Sequence, residues 1–274
     1  NFTVGGGSFS FGRRLEWPDD FFRVMWSARI MQKEYDGSEA DIESYLGGLQ
    51  KTRGLSLSQV LVRDSRNRAE FTTRGSKFQI ESTYSGGMLG GNENFQKHVL
   101  NLDWFTPTFS KFVLYSSLKV GVIKTLKVGN DTQSFIPFDE RFIMGGNGIP
   151  YGNALRGYPD NSIGPQTASG QAVGGNAMSK ITTELRFPLS ENPVIYFMTF
   201  AEMGNVWNTS SMAEPFYLER HGPLSMKKSA GVGVRFFMPG IGLLGFDMGY
   251  GFDDITGEGN PNGWEYTITF GQTY

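Results

Sequence analysis

The chain has 274 residues, a formal net charge of −2 and no cysteine. A charge this close to zero, without a basic stripe, excludes the usual electrostatic binding of nucleic acid. The lack of cysteine excludes disulfides, thiolate catalysis and cysteine-ligated metals.

Apolar and polar residues alternate with a period of two in many segments, beginning with FFRVMWSARI, where Phe22, Val24 and Trp26 alternate with Arg23 and Ser27. SKFQIESTYS, KFVLYSSLKVGV and GWEYTITFGQTY show the same pattern. This period predicts strands with one apolar and one polar face. The predicted strands, in chain order, are 7–16, 20–34, 53–64, 74–88, 95–106, 110–125, 176–188, 193–206, 227–238, 241–253 and 263–273.

The connections between these strands tend to alternate between short and long. Short ones include EWPDD, TPTFS, PLSENP and MPGIG. The longer ones are 35–52, 126–175, 207–226 and 254–262. Short turns on one side and long loops on the other are typical of an up-and-down barrel in an outer membrane.

A water-soluble β-sandwich would also alternate, with its apolar face hidden between two sheets. Two features favour the membrane. Many segments run for about 10 to 14 residues, which suits a tilted strand that crosses a bilayer. Aromatic residues such as Trp17, Trp104 and Trp264 lie near segment ends, where an aromatic girdle would sit. The sequence therefore predicts an all-β fold, a transmembrane antiparallel up-and-down β-barrel with its polar faces lining a lumen.

Five blocks in the second half of the chain resemble the C-terminal barrel of the BamA superfamily, which includes TamA and FhaC. The blocks lie between Glu140 and Tyr274 and are ALRGYPDNSIGP, AVGGNAMSKITTELRFPL, FMTFAEMGNVWNTS, SAGVGVRFFMPGIGLLGFDMGYGF and YTITFGQTY. The order of all five makes the resemblance specific, whereas a lone Arg-Gly-Tyr would not. ERFIMGGN, which precedes the blocks, fits the same pattern.

The resemblance implies that the long extracellular loop 126–175 folds back into the lumen. Arg156 would pair with acids of the barrel wall, Gly157 would let the backbone turn, and Tyr158 would pack beside it. The expected wall partners are Glu184 and Glu202. The chemistry is reasonable, because a desolvated arginine needs carboxylates and can bind them with both arms of its guanidinium. Many family members carry Asp at the second wall position, where Glu202 of this chain is longer by one methylene group.

The resemblance also implies a barrel of sixteen strands that follows periplasmic POTRA domains. We expect residues 1–274 to be its C-terminal part, about eleven strands, without the POTRA domains and the first strands. Two short strands within residues 1–16 would raise the count to twelve. The last strand, 263–273, would form one side of a lateral seam, with Trp264, Tyr266, Phe270, Gly271 and Tyr274.

The implied function is assembly and insertion of outer-membrane proteins in a Gram-negative bacterium, by templating client strands at the seam. The implied partners are outer-membrane lipids, unfolded clients and accessory assembly lipoproteins. A protein-secreting pore of the FhaC type and an ordinary porin are the alternatives.

Enzyme chemistry finds little support in the sequence. The two histidines, His98 and His221, lack metal-ligand spacing, and no context marks a serine as a nucleophile. A Ser-His hydrolase that uses His98 is a further alternative. The acidic stretch DGSEADIES lacks the spacing of a calcium loop. We expect no enzymatic activity, cofactor or metal.

Overall fold

A computed structural model describes residues 2–37, 48–127, 135–149, 152–166, 170, 172–209, 225–238 and 242–270. It contains eleven β-strands and two single-turn 3-10 helices, Gly87–Leu89 and Phe138–Glu140. The strands are β1 Phe2–Arg14, β2 Phe22–Tyr35, β3 Lys51–Asp64, β4 Gly75–Ser85, β5 Phe95–Pro107, β6 Val113–Thr125, β7 Ala177–Glu191, β8 Val194–Trp207, β9 Lys227–Met238, β10 Gly242–Gly251 and β11 Gly263–Phe270.

The strands form one antiparallel sheet in chain order, from β1 at one edge to β11 at the other. This confirms the predicted all-β, up-and-down fold. The sheet is open in the described residues, since β1 pairs only with β2 and β11 only with β10. No helix within the described ranges is long and apolar enough to span a membrane.

The predicted start of the first strand at residue 7 is wrong, because β1 begins at Phe2. The run Gly5–Gly7 carries no side chains and so gives no alternation, yet its backbone pairs with residues 30–32 of β2. Residues 2–16 contain a single strand, which keeps the count at eleven in the described parts of the chain.

Two compact units share the chain. Unit 1 comprises Asn1–Arg63, Gln79–Leu100 and Gly121–Arg141. Unit 2 comprises Asp64–Phe78, Asn101–Val120 and Phe142–Tyr274. β3 to β6 contribute residues to both, while β7 to β11 belong to unit 2.

The strands of unit 2 bury polar side chains and expose apolar ones. On β7, Glu184 and Arg186 are 2 % and 5 % exposed, whereas Ile181 is 38 % exposed. On β10, Asp247 is 4 % exposed and its neighbour Phe246 43 %. Such an arrangement is the reverse of a water-soluble sheet and is the pattern of a barrel whose outer face meets lipid. We call the face that carries the buried charges the inner face.

An apolar cluster covers part of the inner face in unit 2. Its buried members are Phe71, Phe105, Val113, Tyr115, Tyr196, Met198 and Leu243. The Phe105 and Tyr115 rings stack at 4.8 Å between centroids, and Phe71 packs on Tyr196 at 5.0 Å. The cluster gives the neighbouring charged groups a desolvated boundary, which strengthens each ion pair that they form.

Unit 1 shows the same inversion of polar and apolar side chains. Lys33 and Thr52 are buried on one face, while Trp26, Ile30 and Leu57 are exposed on the other. Both units therefore have the faces predicted from the alternation of the sequence.

Candidate functional site

In unit 2, the described residues of the segment 142–166, which are 142–149 and 152–166, are joined to one another largely by backbone hydrogen bonds. Ile163 donates a hydrogen bond to Met144 (2.9 Å), and Leu155 donates one to Gly146 (3.1 Å). Gly146 in turn donates to the carbonyl of Tyr158 (3.0 Å). Met144 and Leu155 are completely buried. This segment, which we call the Arg156 loop, is thus a packed element that can present side chains in fixed positions.

The Arg156 loop lies directly on β9 and β10. Gly157 has φ +86°, and a Cβ atom there would come 2.9 Å from Ser229 Cβ and 3.0 Å from the backbone nitrogen of Gly251. A Cβ atom on Gly249 would come 2.8 Å from the nitrogen of Gly157. Because glycines meet on both sides of the contact, the two backbones approach more closely than any side chain would permit.

Arg156 extends from this contact into a group of carboxylates on the inner face. Its Nη2 donates to Glu184 Oε1 (2.6 Å) and to Glu202 Oε1 (2.8 Å). Its backbone nitrogen donates to the other oxygen of Glu202 (2.9 Å). All three residues are at most 4 % exposed. Glu202 therefore accepts hydrogen bonds from both the main chain and the side chain of Arg156.

A third acid and an aromatic ring complete the surroundings of Arg156. Its Nη1 lies 3.6 Å from Asp247 Oδ1, and its Cζ stands 3.8 Å above the centre of the Phe200 ring. Phe200 is the cross-strand partner of Glu184. The ring binds one face of the guanidinium while the carboxylates bind its edge, so both recognition modes of arginine are used.

The wall acids have further cationic partners. Glu202 contacts Lys180 Nζ (3.0 Å), Glu184 contacts Arg186 Nη2 (2.7 Å), and Asp247 binds Arg235 through two bonds of 2.8 Å each. Arg186 also lies 4.2 Å from the centre of the Tyr115 ring, whose hydroxyl donates to Asp103 (2.9 Å). We call these residues the acid–base cluster: the cations Arg156, Lys180, Arg186 and Arg235 with the carboxylates of Asp103, Glu184, Glu202 and Asp247.

Four positive and four negative groups leave the acid–base cluster with no formal charge. The pairing offsets the cost of removing these charges from water, which would be severe for any one of them alone.

Tyr158 anchors the other side of Gly157. It is 1 % exposed, and its hydroxyl lies 2.5 Å from the carbonyl oxygen of Lys228 and 2.9 Å from Asp253 Oδ2. Burial, followed by the hydrogen bond to Asp253, raises the pKa of the Tyr158 hydroxyl. The phenol therefore stays neutral, and its hydroxyl anchors the loop by a hydrogen bond at the start of β9.

Sequence reasoning singled out Arg156, Gly157, Tyr158, Glu184 and Glu202, and the structure brings all five together. The sequence alone did not identify Asp247, Phe200 and Gly249 as partners of the Arg156 loop. A signal for β10 was present in GLLGFDMGYG, where Gly245, Gly249 and Gly251 share the parity of Asp247. Glycine at alternate positions of one face indicates that another backbone lies against that face.

The residues expected at the seam lie apart from the acid–base cluster. Trp264, Tyr266 and Phe270 are exposed on β11, on the outer face. Trp264 packs edge-on against Tyr250 of β10, with 5.3 Å between ring centroids. Gly271 and Tyr274 fall outside the described residues.

A second group of ion pairs lies in unit 1. Glu140 binds Arg29 (2.7 Å) and Lys97 (3.1 Å). Buried Lys33 binds Glu93 (3.1 Å) and Asp139 (2.8 Å). Asp139 and Glu140 belong to the 3-10 turn Phe138–Glu140, which lies in the long connection between β6 and β7. Arg29 and Lys33 lie on β2. Burial opposes ionisation of Glu140, but the two cations outweigh it and lower its pKa.

The histidines and carboxylates of the described residues bear on the metal and hydrolase alternatives. No group of three or more potential metal ligands is found among them. His98 Nδ1 lies 3.0 Å from Ser82 Oγ, with His98 exposed on its strand. His221 and most of the acidic stretch DGSEADIES lie outside the described residues.

Replacing Arg156 with alanine leaves Glu184 and Glu202 buried with one cation fewer. We expect Arg156→Ala to lower the free energy of unfolding by about 3 kcal/mol, because a broken buried pair leaves an uncompensated charge. Protease should then cut the Arg156 loop. Arg156→Lys, which keeps the charge but loses the planar fork, should fall between wild type and alanine. Unchanged protease resistance and urea midpoint in Arg156→Ala would refute the anchoring role.

Two glycines with similar backbone conformations provide a matched test of the loop contact. Gly157 and Gly170 have φ +86° and +80°, but a Cβ atom on Gly170 would meet nothing within 4 Å. Both alanine variants carry the left-handed backbone cost of about 1 kcal/mol. Only Gly157→Ala should lose more stability and release the loop to protease. Equal urea midpoints for the two variants would contradict the close contact with β9 and β10.

The ion pairs of Glu140 should make unit 1 more stable at neutral than at acidic pH. Because the pKa of Glu140 in the folded protein is below its ordinary value of 4.5, its contribution is present above that pH. It is lost as the pH falls through the lowered pKa. The difference in urea midpoint between wild type and Glu140→Gln should shrink from pH 7 towards pH 3. Glu16→Gln, at an exposed position of the same unit, is the control and should show little difference at either pH.

Comparison with known proteins assigns the fold and the family. The Omp85 superfamily domain matches residues 3–273. The chain is 24 % identical over 260 residues to the outer membrane protein assembly factor BamA of Nitratidesulfovibrio vulgaris, a match that covers 93 % of this chain and 30 % of that protein. It is 31 % identical over 138 residues to the sorting and assembly machinery component 50 homolog of Mus musculus, covering 50 % of this chain and 27 % of that protein.

A solved structure shows the same fold. The crystal structure of BamA from Haemophilus ducreyi lacking POTRA domains 1-3 superposes with a TM-score of 0.75 at 19 % identity, over 98 % of this chain and 54 % of that one. The chain thus spans about a third or less of the matched relatives and about half of the solved protein. The chain belongs to the Omp85 superfamily and has the β-barrel fold of the Gram-negative outer membrane.

Proposed function

We propose that the chain is the C-terminal barrel portion of a BamA-type factor that folds and inserts outer-membrane proteins. The similarity to a BamA protein over 93 % of the chain supports this proposal. The remaining barrel strands and the periplasmic POTRA domains would belong to the parts of such a protein that this chain does not span.

One observation carries the proposal: the Arg156 loop occupies the inner face of β7 to β10. The charges that line this face bind one another and the loop. A porin instead offers unpaired charges to a water-filled channel. A plugged inner face suits a protein that acts on its clients at the sheet edge and the lipid boundary.

The proposed site of client contact is the edge of the sheet at β11. In the described sheet, this strand has β10 as its only partner. A free strand edge can template an incoming strand through backbone hydrogen bonds. The exposed rings of Trp264, Tyr266 and Phe270 would contact lipid beside that edge. Templating of this kind breaks no covalent bond, so we propose no enzymatic activity.

The proposed partners follow from this mechanism. They are unfolded outer-membrane protein clients, outer-membrane lipids and accessory assembly lipoproteins. The lipids would face the outward apolar side chains of the strands, such as Ile181 and Phe246.

Reconstitution of the full-length protein tests the proposal. We expect liposomes that contain it to speed the folding of a urea-unfolded outer-membrane barrel, followed by heat-modifiable gel mobility. Arg156→Ala should slow this folding because the loop is no longer seated. Arg68→Ala should not, since Arg68 is exposed in the turn between β3 and β4.

Conductance distinguishes the alternatives. A plugged assembly factor should give small, irregular currents in a planar bilayer. Steady openings of large conductance, together with no acceleration of client folding, would overturn the proposal in favour of a secretion pore or a porin.

A further inference from the structure

Asn147 stands at the tip of a turn of glycines in the Arg156 loop. Gly145, Gly146 and Gly148 around it all have positive φ, at +133°, +53° and +76°. The backbone nitrogen of Asn147 donates to Asp160 Oδ1 (2.9 Å), and its side-chain Oδ1 accepts from the nitrogen of Ile149 (2.8 Å). These bonds fix the side chain and leave its amide Nδ2 to donate outside the turn.

That amide reaches the last strand of the sheet. Asn147 Nδ2 donates to the backbone carbonyl of Ile268 on β11 (3.3 Å). A second asparagine makes the reciprocal contact, since Asn262 Nδ2 donates to the carbonyl of Gly157 (3.0 Å). Asn262 immediately precedes β11 and Ile268 lies near its other end, so the loop holds the strand at two separated points.

Both asparagine contacts involve backbone that lies one or two residues, or one hydrogen bond, from Arg156. Gly157, which binds Asn262, is the next residue after Arg156. Gly146, which precedes Asn147, exchanges hydrogen bonds with the chain on either side of Arg156: it donates to Tyr158 and accepts from Leu155. A shift of Arg156 away from Glu184 and Glu202 would therefore move both asparagine contacts.

β11 is well placed to respond to such a shift. It pairs with β10 over the eight residues from Gly263 to Phe270 and with no other strand that the structure describes. Edge strands with one partner open locally at a lower free energy than central strands. Two hydrogen bonds from outside the sheet are thus a substantial part of what restrains this strand.

We propose that Asn147 and Asn262 are positioning residues that couple the Arg156 loop to β11. Seating of the loop in the acid–base cluster sets how firmly the edge strand is held against β10. The coupling is a property of the folded chain and requires no client, so it stands or falls independently of the proposed assembly function.

Aspartate variants remove the two donors, and in Asn262→Asp the 3.4 Å contact with Glu265 Oε1 is lost as well. Asn147→Asp keeps the oxygen that accepts from Ile149 but replaces the donor to Ile268 with a carboxylate oxygen. Asn262→Asp likewise replaces the donor to the carbonyl of Gly157 with a carboxylate oxygen. The matched control is Asn67→Asp, since Asn67 also uses Oδ1 to accept from a turn backbone and Nδ2 to donate, in this case to Thr73. Hydrogen exchange of the full-length protein in lipid nanodiscs, without client, reports each segment separately.

We expect Asn147→Asp and Asn262→Asp each to speed amide exchange in 263–270 by about fivefold, the effect of one lost hydrogen bond on an opening equilibrium. Exchange in 153–163 should rise less than in Arg156→Ala, and the urea midpoint should fall by no more than the loss of one hydrogen bond accounts for. Arg156→Ala should raise exchange in both segments, and Asn67→Asp in neither. Unchanged exchange of β11 in both asparagine variants would overturn the proposal.

A cross-link separates coupling from a general folding defect. Met248 pairs directly with Tyr266 between β10 and β11. Residues 1–274 contain no cysteine, so cysteines at these two positions would be the only thiols in this part of the protein. Paired antiparallel positions have the Cα spacing that a disulfide needs. Oxidation of this pair should restore protection of β11 in Asn147→Asp. A lowered urea midpoint that the cross-link does not recover would contradict the coupling and indicate a global defect.

Discussion

The structure of unit 2 depends on one buried arginine that is shared by two glutamates of neighbouring strands. Glu184 and Glu202 could not remain ionised on the inner face without compensating cations, and Arg156 could not leave water without them. Each side of the contact requires the other, so the loop is a necessary part of the sheet's inner face. The bonds of 2.6 Å and 2.8 Å, with Phe200 beneath the guanidinium, fix its position as well as its charge.

Glycines make this interaction sterically possible. Arg156 reaches the acids only because the next residue, Gly157, lies against a strip of β10 that carries glycine at 249 and 251. The cost of these glycines is a less rigid strand, since glycine loses more backbone freedom on folding than other residues. The loop restores part of that rigidity, because Tyr158 donates to the carbonyl of Lys228 on β9 and the carbonyl of Gly157 accepts from Asn262. The strands that hold the loop are therefore also held by it, and β11 has β10 as its only strand partner in the described sheet.

The alternation of the sequence was sufficient to predict the strands and the inverted faces, because a period of two is a direct consequence of strand geometry. The alternation did not predict the first residues of β1, because the glycines there have no side chains and so show no period. Arg156, Glu184 and Glu202 could be named because a motif resembled a family and because a buried arginine needs acids. Asp247 could not be paired with Arg156, nor Asn147 with β11, since contacts between residues so far apart in the sequence follow from the path of the loop and leave no local pattern.

We expect Arg156 and Glu202 to stabilise the protein through each other. A double-mutant cycle in the full-length protein measures this coupling, with Arg156→Met, Glu202→Gln and the double variant unfolded by urea in lipid. The coupling free energy should be at least about 1.5 kcal/mol, in the range of close, desolvated charge pairs. Losses of stability that add to within about 0.5 kcal/mol would contradict it, because independent sites behave in that way.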